Sequence, residues 1–183
     1  MLPEPALPNT AWRSPVEAAR MLNTPAADPL ATLSAGPILW FADWPTNAVA
    51  VPRSGSAVYT VWDRADAFLY VGMSGRSSTA TGSGPFGRLN SHAGGRRSGD
   101  QFNVYISDRF VLPRVHNRIP EIAAGVLSLD KLTRDYIRAE LGFRVTALPS
   151  PADAFTLERQ LQRGEWAAGR PILNPLLEDP PTS

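Results

Sequence analysis

The period of hydrophobic and polar positions changes several times along the chain, and each change marks an element. The earliest pattern is "SPVEAARML" (14–22), where Ser14 can cap, Pro15 fits the first turn and Glu17 completes a capping box, which predicts a short helix. "PILWFADW" (37–44) follows as a dense apolar segment, either an extra strand or an arm on the main domain, with Trp40 and Trp44 as core residues. "AVYTVW" (57–62) and "AFLYVG" (67–72) are rich in β-branched and aromatic residues, and "DRAD" between them reads as a turn, so an antiparallel hairpin is expected. Counting outward from that turn brings Tyr59 and Tyr70 onto one face or one register step apart.

Beyond "SGRSSTATGSG" (74–84), "PFGRLNSHAGG" (85–95) carries a proline suited to a helix start and two glycines suited to its end. Arg88 and His92 then stand four apart on one helical face. "FNVYIS" (102–107) alternates as a strand would, with Pro113 and Pro120 breaking regularity nearby. "SLDKLTRDYIRAEL" (128–141) has helical spacing, and "FRVTAL" (143–148) reads as a third strand. "SPADAFTLERQLQRGEW" (150–166) opens with Ser150 as cap, Pro151 in the first turn and Asp153 closing the box, which predicts a helix over 151–165. Wound at about 100° per residue, that helix puts Ala154, Leu157 and Leu161 on one stripe and drops Glu158 among them. A carboxylate aimed at a core must be protonated, paired or bound to a cation, because burying it alone is costly.

Composition narrows the chemistry. The chain has 183 residues, 43% of them hydrophobic, enough for a core, with no cysteine and two histidines. Disulfide frameworks and thiolate metal sites are excluded, and a zinc centre on imidazoles is disfavoured. The N-terminal "MLPEPALPNTAWRSP" lacks a basic start followed by an apolar stretch, and no later segment approaches a membrane-spanning length, so a cytoplasmic protein with no membrane partner is expected. Net charge is only +1, but all basic residues except Lys131 are arginine. From Arg76 to Arg118 seven arginines stand against two acids, Asp100 and Asp108, a footprint able to meet phosphates. Arg76, Arg96 and Arg97 are its expected DNA-binding members. On charge alone, the commoner meaning of such a run is a solvated surface. Arginine offers phosphate a planar fork and histidine can exchange a proton near neutrality, yet Arg88 and His92 also suit an ordinary polar helix face.

Taken in order, these residues resemble the GIY-YIG nuclease family. "VYT" stands at the first motif, "YVG" matches the second, Arg88 and His92 follow on a helix, Glu158 sits on a late helix, and "ILN" ends in Asn174. The match spans about 56–176, and the spacing of arginine and histidine resembles the restriction-enzyme branch. It implies an α+β fold with a small three-stranded antiparallel sheet flanked by helices, an N-terminal extension over 1–55, a helical insertion over about 100–142, and a short tail from 177 to 183. It also implies hydrolysis of DNA phosphodiesters with one Mg²⁺ or Mn²⁺ per site. Carried over, Glu158 is the metal ligand, Arg88 steadies transition-state charge with Arg76 assisting, Tyr59 or Tyr70 orients or deprotonates water, His92 relays the proton, and Asn174 positions phosphate or holds the local network. Cutting both strands of a palindrome would call for a homodimer. The first motif lacks its glycine and isoleucine (Val58, Thr60), and Met73 stands where many relatives carry lysine. An inactive module of the same fold that binds nucleic acid or protein is the alternative.

Overall fold

Two adjacent β-rich runs need a third surface to cover them, and the chain supplies one on each side of the sheet they start. The structure, a computed structural model, describes residues 28–75 and 84–175. The expected helix at 14–22, Arg76 and the tail lie outside them.

In chain order the described elements are helix α1 (Pro29–Ala35), strand β1 (Leu39–Trp40), a short helix α2 (Trp44–Asn47), strands β2 (Ser56–Asp63) and β3 (Phe68–Ser74), and helix α3 (Pro85–Gly94). Helix α4 (Gln101–Ile106) runs on into a π turn at Ser107–Val111 and two 3-10 turns. Helices α5 (Ile119–Ala123) and α6 (Leu129–Glu140), strand β4 (Leu141–Leu148) and helix α7 (Pro151–Arg163) complete the set. The strands form one antiparallel sheet in the order β1-β4-β2-β3.

The hairpin, the third strand and the helices expected over 85–95, 128–141 and 151–165 all form. Two expectations change. The sheet gains a fourth strand, because "LW" of the 37–44 segment pairs with Phe143 and Gly142 of β4. "FNVYIS" is helical rather than extended: Asp100 caps it through the Phe102 N–H, and Phe102, Asn103 and Ile106 are buried at helical spacing.

Helices cover both sheet faces. One layer joins Tyr59, Val61, Tyr70, Phe143 and Val145 to Leu89 and Ala93 of α3, Phe102 and Ile106 of α4 and Leu129 and Ile137 of α6. The other joins Val58, Trp62, Phe68, Val71 and Met73 to Leu33 of α1 and to Ala154, Leu157 and Leu161 of α7, the stripe expected from the sequence. Each fully buried side chain of Leu or Phe size contributes about 1.5–3 kcal/mol, so both layers hold the sheet firmly. Phe41 and Trp44 are buried in the first layer, so the described segment around them, before β2, belongs to the same core. Among the described residues no helix is long and apolar enough to cross a membrane.

Candidate active site

The site begins with a register irregularity. Tyr59 stands opposite Gly72 and Val61 opposite Tyr70, but Trp62 stands opposite Phe68, so Leu69 is an extra residue on β3. This bulge lets Tyr70 face one layer and Phe68, two positions earlier, the other. Tyr59 and Tyr70 therefore share a face diagonally across the hairpin, with ring centroids 6.4 Å apart. The Tyr59 side chain lies across Gly72, where a Cβ would stand 2.6 Å from the Tyr59 Cζ. The glycine of "YVG" is thus explained by contact: only a residue without a side chain leaves room for the phenol.

Helix α3 brings the next group. Pro85 occupies its first turn and Gly95 closes it in the left-handed region (φ 67°), where a Cβ would also strike the backbone of Arg134 on α6. Held down in this way, α3 turns His92 inward to 0% exposure. The imidazole Nε2 lies 2.9 Å from the Tyr59 Oη, and Nδ1 lies 2.8 Å from Oδ2 of Asp100. Tyr59 is also 0% exposed, so Asp100, His92 and Tyr59 form a buried hydrogen-bonded chain. The rings of Phe102 and Tyr70 wall it, with centroids 4.4 and 5.9 Å from that of His92.

Charge around the chain follows from burial. Burial lowers the His92 pKa, aided by Arg88 and opposed by the hydrogen bond and charge of Asp100, so the ring is neutral near pH 7. Burial pushes the Asp100 carboxyl up, but hydrogen bonds from His92 and Ser91 and the charges of His92 and Arg88 hold it below its ordinary value, so it is ionised. Burial raises Tyr59 well above the usual phenol range, with Tyr70 adding to the rise and Arg88 opposing it by charge and a side-chain hydrogen bond. Burial likewise pushes Tyr70 up to about 12, against the pull of Arg88 and with repulsion from Glu158 and Asp100. The Arg88 pKa is raised, chiefly by the negative charge Tyr59 takes on when it ionises, against burial, which lowers it. Tyr59, Tyr70, Arg88 and His92 thus act on one another directly, and the charge of Glu158 on α7 reaches Tyr70. No family model, curated protein or solved structure matches this chain.

Glu158 is half-buried at the margin of the apolar stripe. Among the described residues no group of three histidine or acidic side chains converges as a metal cage. A lone carboxylate such as that of Glu158 suits Mg²⁺ or Mn²⁺ retaining most of its waters and does not suit a closed zinc site.

Other residues singled out from the sequence lie elsewhere. The Asn174 side chain clasps the edge of β3: its Oδ1 accepts from the Val71 N–H at 2.8 Å and its Nδ2 donates to the Val71 carbonyl at 2.9 Å. Arg97 pairs with Asp130 at 3.1 Å, and Arg96 is exposed just beyond α3. The basic run is partly engaged at home, since Arg118 meets Glu121 at 2.7 Å and the Arg114 guanidinium lies 4.7 Å from the Tyr136 ring centroid. Met73 packs in the second layer, away from the phenols. Asp100 is the residue that sequence reasoning missed. Its signal was present as a helix-capping aspartate before "QFNVYI", and reading that segment as a strand hid it.

Proposed function

We propose that this protein is a divalent-metal-dependent endonuclease of the GIY-YIG type that hydrolyses DNA phosphodiester bonds. The observation that carries the reading is the hydrogen-bonded chain from Asp100 through His92 to Tyr59, with Arg88 on the same phenol and Tyr70 beside it. A phenol is a poor base at neutral pH unless something accepts its proton and something steadies the phenolate. Neutral His92 offers Nε2 as that acceptor, and Arg88 favours the anion. In the proposed reaction a water proton passes to the Tyr59 oxygen while the phenol proton passes to His92 Nε2. The water oxygen bonds to phosphorus, the bond to the departing sugar oxygen breaks, and that oxygen takes a proton from solvent. Arg88 also stabilises charge that grows on the phosphate, the kind of contribution whose removal costs about 10²–10³-fold in rate. Tyr70, slightly exposed at 9%, orients the water. Glu158 would hold the cation, which when bound supplies positive charge to the phosphate and its departing oxygen.

On this reading DNA is the partner, with Arg76, Arg96 and Arg97 on its backbone. The cytoplasm is the setting, and a homodimer is the form that cuts both strands of a palindrome. Complete burial of Tyr59 and His92 favours a second reading, a GIY-YIG-like module that binds nucleic acid or protein without cutting. Purified protein incubated with supercoiled plasmid and Mg²⁺ separates the two. The nuclease reading expects nicking that EDTA stops, that Arg88→Ala slows by about 10²–10³-fold, and that Glu158→Ala abolishes while DNA binding persists. Salt-sensitive binding with no cation-dependent cleavage selects the module.

A further inference from the structure

Asp100 has two jobs that one carboxylate divides between its oxygens. Oδ1 accepts the Phe102 N–H at 3.1 Å and caps α4, while Oδ2 lies 2.8 Å from Nδ1 of His92. An ionised carboxylate has acceptors only, so the proton between Oδ2 and the ring must sit on Nδ1. The neutral imidazole then presents a lone pair at Nε2, aimed at the Tyr59 hydroxyl 2.9 Å away. With the other tautomer, Nε2–H would point at that hydroxyl and could take nothing from it.

We propose that Asp100 is a positioning residue that fixes His92 as the Nδ1–H tautomer, so that Nε2 can receive the Tyr59 proton. This deepens the nuclease reading and rests on it for its catalytic consequence, but the tautomer itself does not depend on it. In the proton step the Tyr59 O–H bond breaks and an Nε2–H bond forms; Nδ1–H stays in place, and Asp100 balances the imidazolium without becoming protonated. The charged or titratable groups acting on the chain are Tyr59 from β2, Tyr70 from β3, Arg88 from α3 and Asp100 itself at the start of α4. Arg88 opposes a positive ring, which makes the carboxylate behind it the only group among these that favours the protonated imidazole. At this end of the chain His92 and Asp100 are buried with the Phe102 ring against the imidazole, so no bulk solvent replaces Asp100 in this task.

Asp100→Asn separates the two jobs. Asparagine caps helices about as well as aspartate, so its carbonyl can keep the Phe102 N–H while its amide faces Nδ1 as a donor. The ring must then carry its proton on Nε2. Two-dimensional ¹H–¹⁵N spectra of the imidazole read this directly. In wild type, Nδ1 should give a protonated signal and Nε2 an unprotonated one. In Asp100→Asn the two should exchange, the Phe102 amide should stay protected from exchange, and plasmid cleavage should fall about 100-fold or more. Wild type with the proton on Nε2 overturns the proposal even if no variant folds. So does an Asp100→Asn protein with unchanged tautomer or undiminished cleavage. If wild type cuts no DNA, the nuclease reading fails, and the spectra alone decide the tautomer.

Discussion

Tyr59 illustrates how little a residue name says about chemistry. The same phenol on an open strand would ionise near 10 and hydrogen-bond to water; here burial, Tyr70 and Asp100 push the proton on, while Arg88 pulls it off. Its position depends on a neighbour with no side chain. A methyl group at 72 would overlap the Tyr59 hydroxyl and ring, and because Tyr59 is wedged among His92, Tyr70 and α3 it has nowhere to move. Gly72→Ala is therefore expected to lower stability by about 1–3 kcal/mol, the usual effect of overpacking, and to tilt the phenol off His92 Nε2. Urea denaturation checks the first effect. A variant as stable as wild type would show that the hairpin yields at this point. The tyrosines and this glycine were readable in the sequence as a motif, but the reason for the glycine was not, because it lies in contact across two strands.

At the scale of elements, the edge of β3 needs support, since an edge strand exposes unpaired backbone groups. The segment after α7 provides it: the N–H groups of Ile172 and Leu173 donate to the carbonyls of Phe68 and Leu69, and Asn174 clasps Val71 at both ends of its amide. Asn174→Ala should free the Val71 amide to exchange at least about tenfold faster, as loss of a hydrogen bond of about 1.5 kcal/mol would cause. Exchange at the Val61 amide, inside the sheet, should change far less. Hydrogen exchange followed by NMR measures both, and equal effects would mean that Asn174 supports the whole fold rather than one edge. Capped helices were legible beforehand because proline, serine and glycine act locally: α3 and α7 form at those signals. Helix α4 was not, because six residues satisfy a two-residue period almost as well as a helical one, and the packing of Phe102 and Ile106 decided between them.

For the whole molecule, buried titratable groups set the range of pH over which the fold is strongest. The His92 pKa is lowered in the folded state, so as pH falls through about 6.5 the unfolded chain binds a proton that the folded one refuses, and stability drops. Asp100, also lowered, adds its loss only further down, as pH falls from about 4 through its folded value. Tyr59 and Tyr70 are raised, so the unfolded chain loses protons first above about 10 and stability drops again. Stability should therefore be flat between roughly 6.5 and 10 and fall on both sides. His92→Gln should remove the step that begins near 6.5; denaturation midpoints between pH 5 and 8 test this, and an equal step in both proteins would assign it to other groups. By itself the amino-acid sequence determined the hairpin, the capped helices, the apolar stripe of α7 and the set of side chains worth watching, because propensity, capping and period act within a few residues. Tertiary structure alone decided that His92 is buried between Tyr59 and Asp100, that Asn174 holds a strand edge and that "FNVYIS" is a helix. Those outcomes depend on contacts between residues far apart in the chain, whose free energies only the assembled layers supply.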